Sequence, residues 1–287
     1  MICNKKTIGK NLNIGKNVTI KCNELILGDD VIIEDNTNVF VYGKLEIGNL
    51  STIGKNSIIK GNNVIIGNEF YNDGYLEIGG GGWNNQNANL VIGDRCVTHN
   101  NTININSSIM IGDYVGLSPH VDLITHGYWQ SKLEGFPFRE GMIKIGDYSI
   151  IGIRSIVLGN VKIGKHVTVG AGSIVTKNFG DYVVVAGNPA RVIHNIFPNH
   201  KTQRDKIDMT EAILGEYKKL LEFKNIDNVR LSMDYPIVYI DNASFNLEDK
   251  TYDICEHTAI TDDFRDFMRR KGIWFFGRRF KSIIGDI

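Results

Sequence analysis

From Ile145 to Thr176 apolar residues recur at every sixth position: Ile145, Ile151, Val157, Ile163, Val169 and Val175. Glycine follows four of them, at Gly146, Gly152, Gly164 and Gly170. A helical face repeats every 3.6 residues and cannot hold this register. Short strands joined by sharp bends can, if every aliphatic residue points at one shared axis. Glycine beside the aliphatic position suits a corner where a side chain would collide or where positive φ is required. The pattern predicts a β-solenoid.

The register begins near the N-terminus. Ile8, Ile14 and Ile20 are six apart; a slip of one leads to Leu27, Ile33, Val39 and Leu45, and a slip of two to Ile47, Ile53, Ile59 and Ile65. Each slip reads as a bulge or lengthened corner in a three-sided coil of about eighteen residues per turn. Two stretches break the register, roughly 68–90 and 125–144. The first holds Gly79 to Gly82, but no GK[ST] or helix signal follows, so it reads as a widened corner or surface excursion rather than a phosphate loop. The second, THGYWQSKLEGFPFREGMI from Thr125 to Ile143, is a long aromatic loop, the kind of segment that carries function.

Beyond Phe197 the pattern changes. Ile213, Leu214, Tyr217, Leu220 and Leu221 form one helical stripe within 210–224. Val229–Ile240 and Ser244–Ile254 read as two strands around an Asp241-Asn242 turn, and Thr261 as the N-cap of a helix through Arg270. The expected organisation is a solenoid over 1–198 and a small α+β appendage over 199–287 that covers the end of the coil.

Of the 287 residues, Lys+Arg and Asp+Glu number 32 each, so net charge gives no reason to expect a nucleic-acid partner. Cys3, Cys22, Cys96 and Cys255 are scattered without metal-ligand spacing, so no metal is expected, and reduced thiols point to the cytoplasm. No stretch is long and apolar enough for a membrane span. Residues 265 to 281 hold seven Lys/Arg against Asp266, which reads either as a solvated basic face or as a contact for an anionic glycan or membrane surface.

The hexapeptide series, IGDYVGLSPHVDLITHGYW and GAGSIVTK…VVVAGNPARVI together resemble the hexapeptide-repeat acyltransferases, specifically the sugar O-acetyltransferase branch related to maltose and galactoside acetyltransferases. The resemblance is strongest over 91–194, general over 1–90 and absent from the tail. It implies an all-β fold, a left-handed parallel β-helix, and a homotrimer with sites between subunits. Acetyl-CoA is the implied co-substrate and a sugar hydroxyl of capsule, lipopolysaccharide or a precursor the acceptor.

By the same resemblance His126 is the general base: an alcohol attacks a thioester only as its proton is removed, which a neutral imidazole can do. Asn100 is the implied acceptor-positioning asparagine. Gly152, Gly170, Ala171 and Gly172 are corners against which pantetheine would lie, and Lys177 and Arg191 are cations for the CoA phosphates. Where many relatives carry Trp this chain has Ile150. Trp129 and Tyr128 would then stack on the sugar and Arg139 meet an acidic group, or the loop aromatics only pin the loop. His120 reads as a corner residue and His166 as a solvent-facing repeat position. Two other functions keep the fold: N-acetylation of an amino sugar or small amine, and a non-catalytic scaffold.

Overall fold

The structure is a computed structural model and describes residues 1–197, 201–255 and 257–277. Its residues divide into two compact units, Met1–Phe197 and Pro198–Ile287.

The first unit is a parallel β-solenoid with three faces. One face is a ten-stranded sheet beginning at Asn13–Ile14 and ending in the antiparallel pair Val183–Gly187 and Ala190–Asn195. The other two faces count as one fifteen-stranded sheet, because the nine-residue strand Thr19–Leu27 turns a corner without breaking. The aliphatic register is the core. Ile20, Val39, Ile59, Ile78, Ile103, Leu123, Val157 and Val175 stack coil upon coil, each at most 1% exposed. Burial of such side chains contributes roughly 1.5–3 kcal/mol each.

Coil length differs from the expected eighteen. It is 19 or 20 residues in the N-terminal coils, 18 only near the C-terminal end, and 26 and 34 where the two excursions leave. On the strands of one face two residues point inward, as with Leu45 and Ile47 in Lys44–Ile47. Ile65 is therefore not in the core: Val64 and Ile66 point inward and Ile65 outward, since neighbours on a strand face opposite ways.

The corner glycines answer to collision. A Cβ on Gly146 would lie 2.6 Å from the Gly164 carbonyl carbon, and one on Gly93 2.7 Å from that of Gly112. Positive φ falls instead two residues later, on Tyr114, Tyr148, His166 and Tyr182. These rings form a ladder up the outer edge: Tyr114 on Tyr148 at 4.4 Å, Tyr148 on His166 at 4.8 Å and His166 on Tyr182 at 4.7 Å, nearly parallel throughout. His166, a repeat position on the outer edge, is thus also a rung of a stacked column. Each rung's amide also donates to the coil before, as His166 does to the Asp147 carbonyl at 2.9 Å. Stacking and hydrogen bonding offset the cost of the left-handed conformation.

The second unit has a helix, Gln203–Phe223, a four-stranded antiparallel sheet and a second helix, Ala259–Arg270. The first helix starts well before the apolar stripe, because Thr202 and Asp205 form a capping box. The two long strands expected here are four short ones: a turn at Tyr235-Pro236 divides the first, and Leu247–Lys250 the second. The second helix is capped by Thr258, with Thr261 as its reciprocal partner three residues in. Tyr217, Phe245 and Phe264 are fully buried at the centre.

The described part of the basic run is largely engaged within the unit. Asp266 holds both Arg269 and Arg270, Arg265 meets Asp262, and Lys271 meets Glu216. Arg278, Arg279 and Lys281 lie outside the described residues. Among the described residues no helix is long and apolar enough to cross a membrane.

Candidate active site

The strand Asp122–Ile124 ends one face of the solenoid, and the chain then leaves the coil at His126. His126–Gly127 pairs antiparallel with Arg139–Glu140, so the long loop is a two-stranded hairpin, with a short 3-10 turn at Lys132–Glu134. Arg139 fastens its base, donating from Nε to the Gly159 carbonyl and from Nη2 to the Thr176 carbonyl, both at 3.0 Å. The guanidinium thus holds the loop to two later coils.

The coil before His126 supplies its surroundings. Along Thr102–Asn104 and onward, Ile103 and Ile105 point into the core and leave Asn104 facing out. Asn104 pairs with Ile124, and the Thr125 hydroxyl donates to its carbonyl at 2.9 Å. Asn106 donates to Glu140 at 2.8 Å, and the Ser107 hydroxyl to the same oxygen at 3.2 Å. Glu140 is the residue opposite His126 across the hairpin.

The glycine run one coil earlier forms the remaining wall. A Cβ on Gly80 would lie 2.3 Å from Asn104 Nδ2, and one on Gly82 2.1 Å from Asn106 Oδ1. One on Gly81 would lie 3.5 Å from His126 Nε2. Gly80 and Gly82 also have φ of +75° and +86°. The run is the excursion expected from sequence, and its smallness brings backbone against the imidazole.

Two polar atoms here are buried without a hydrogen-bond partner among the described residues: His126 Nδ1 and Asn104 Oδ1. Buried polar groups are overwhelmingly paired, so two orphans in one cluster mark a place for a ligand. His99, His120 and His166 have partners. His99 Nδ1 is 2.6 Å from Asp73, His120 contacts Asn100 at 3.2 Å, and His166 is stacked.

Asn100 does not join this cluster. It lies at the corner preceding Thr102–Asn104, beside His120, whereas His126 follows the far end of the paired strand Asp122–Ile124. The asparagine at the His126 end is Asn104. The alternation Ile-Asn-Ile-Asn over 103–106 is the signal that could have found it.

In the loop Tyr128 stacks on Phe138 at 4.8 Å and tilts against His126 at 4.9 Å. Trp129 is 94% exposed. Ile150 sits on the ten-stranded face, half exposed.

Gly152, Gly170, Ala171 and Gly172 fall on the corner at the other end of the face from His126. The smallness of Gly152 and Gly170 is already demanded by stacking: a Cβ would lie 2.6 Å from the Val169 carbonyl oxygen and 2.9 Å from Ala186 Cβ. Their amides, with that of Gly172, donate to Val169, Val185 and Ile153. Gly172 has open space around its missing side chain, and Ala171 beside it is exposed. Lys177 and Arg191 are exposed and without a carboxylate partner among the described residues. Among those residues no cluster of His, Cys, Asp or Glu could hold a metal.

Residues 142–177 match the bacterial transferase hexapeptide (six repeats) family model. The chain is similar to galactoside O-acetyltransferase of Escherichia coli, 35% identical over 117 residues that cover 38% of this chain and 55% of that one. The Lactococcus lactis galactoside O-acetyltransferase is 33% identical over 119 residues, covering 40% and 58%. The chain therefore spans little more than half the length of these relatives. Among solved structures, the polySia specific acetyltransferase NeuO matches at 21% identity and a TM-score of 0.40, covering 74% of this chain and 97% of that one.

Proposed function

We propose that this protein is an acetyl-CoA-dependent O-acetyltransferase whose acceptor is a saccharide hydroxyl of a surface glycan or its precursor. The observation that carries the proposal is the unpaired, buried Nδ1 of His126, beside the unpaired Oδ1 of Asn104 and under the glycine wall. Asn104 offers an acceptor for a sugar hydroxyl. His126 takes the proton of the attacking hydroxyl as its oxygen bonds to the acetyl carbon, and returns it to the departing thiolate. Attack is direct, without an acyl-enzyme. Ala171, Gly172, Lys177 and Arg191 hold the CoA.

The geometry also supports a homotrimer. In one chain the Gly152–Gly172 corner and His126 stand at opposite ends of a face, so a site using both is built between copies. Light scattering at micromolar concentration is expected to give three times the chain mass. A single-chain mass would overturn both the trimer and the shared CoA site.

Trp129 is the sugar platform of the loop. Trp129→Ala is expected to raise KM for the saccharide about fivefold, the equivalent of about 1 kcal/mol of lost stacking. The Kd for CoA stays unchanged by calorimetry. Weakened CoA binding with an unchanged saccharide KM would place Trp129 on the CoA side instead, in the role of the tryptophan that Ile150 replaces.

A further inference from the structure

We infer that the acceptor is an acidic oligosaccharide several units long, whose distal part binds in a second cleft on the N-terminal coils. The inference deepens the acetyltransferase reading and rests on it for the direction of the chain.

The cleft has a volume of about 440 Å³, and its lining includes Asn4, Lys21, Asn23, Phe40, Tyr42 and Trp83. No carboxylate lines it. Tyr42 and Trp83 are stacked at 5.2 Å with planes 10° apart. Lys21 stands over the Phe40 ring at 5.5 Å, and Lys60 over Trp83 at 5.7 Å. Neither lysine has a carboxylate partner among the described residues. Aromatic faces with amide side chains suit the apolar C–H face and hydroxyls of a pyranose. Unpaired ammonium groups above those faces suit a carboxylated or phosphorylated sugar.

The cleft shares an outward face of the solenoid with Asn104. Lys21, Phe40 and Lys60 are register partners on successive strands and point outward from one face. Gly79 is next, since a Cβ there would lie 2.9 Å from Lys60 Cβ, and Gly79 pairs with Asn104. The outward column thus runs from the cleft to the asparagine beside His126. At Gly79 it has no side chain, and the place one would take lies 3.6 Å from Trp83 Cβ, on the same glycine run that walls the imidazole. Phe40 to Asn104 is three strand steps, on the order of 14 Å. A single sugar ring cannot reach both ends, whereas a short chain can.

Calorimetry with the full chain, without acetyl-CoA, tests this with oligogalacturonides of one, three and six units and maltooligosaccharides of the same lengths. The acidic hexamer is expected to bind at least about tenfold more tightly than its monomer and than the neutral hexamer. Lys21→Glu and Tyr42→Ala, both on exposed side chains, are each expected to remove most of that gain, and Lys21→Arg to keep it. An acidic hexamer no tighter than its monomer, or a gain indifferent to these variants, overturns the inference. If acetyl transfer persists in that case, the cleft alone has failed. If the length gain is present and abolished by the variants in a protein that acetylates no acceptor, the cleft stands and the acetyltransferase reading has failed.

Discussion

Replacing His126 with alanine is expected to lower kcat by at least about a hundredfold while leaving the affinity for acetyl-CoA nearly unchanged. The two readouts separate because proton removal happens only on the way to the transition state. The candidate CoA contacts at Ala171, Gly172, Lys177 and Arg191 do not include the imidazole. The substitution is also structurally mild: His126 sits where the chain leaves the coil, and its Nδ1 makes no hydrogen bond that alanine would remove. Stability should therefore be close to wild type. Wild-type turnover in a folded His126→Ala protein would eliminate the general-base role. Loss of acetyl-CoA binding in step with kcat would mean the ring contacts the thioester arm instead.

The largest effect on stability is expected at a corner with no chemistry at all. A Cβ on Gly146 would lie 2.6 and 2.7 Å from the carbonyl carbon and oxygen of Gly164 and 2.8 Å from the Lys165 nitrogen. All three are backbone atoms of the next coil, so no side chain can rotate out of the way. The coils must separate there, in the middle of a ladder in which Gly146 itself donates to the Ile163 carbonyl at 2.9 Å. Gly146→Ala should cost about 3 kcal/mol and lower Tm by roughly 6–12 °C. Gly180→Ala is the control, because nothing lies within 4 Å of its missing Cβ; it should change stability by less than about 0.5 kcal/mol. Equal melting of the two variants would refute the collision account of the glycine register.

How much was legible follows from what each feature depends on. The register from Ile145 to Val175 could be read directly, because one steric demand repeats within six residues and every member is buried. Ile65 was misassigned because the surrounding coils run to 19 and 20 residues, and a one-residue slip exchanges inside for outside. The Tyr114–Tyr182 ladder was invisible because its rungs are separated by a whole coil, one of them lengthened by the loop. His126 was named through the resemblance, at the head of that loop, while its buried, unpaired Nδ1 depends on the packing of neighbouring coils. Asn104 and Gly81 were missed, since what makes them part of the site is contact between neighbouring coils of unequal length. In the second unit Asp241-Asn242 was recognisable as a turn, but the break at Tyr235-Pro236 was absorbed into a long apolar run.

In the proposed reaction an acetyl group moves from a thioester to a saccharide hydroxyl with His126 as base. Its most direct test is to incubate the protein with isotope-labelled acetyl-CoA and acidic oligosaccharides, then locate the label by mass spectrometry before and after mild alkali. The account predicts labelled acetyl on the carbohydrate, released by alkali as an ester would be, and absent when His126→Ala replaces the wild type. Label on an alkali-stable amide, label on no saccharide, or equal transfer by the His126→Ala protein would contradict it.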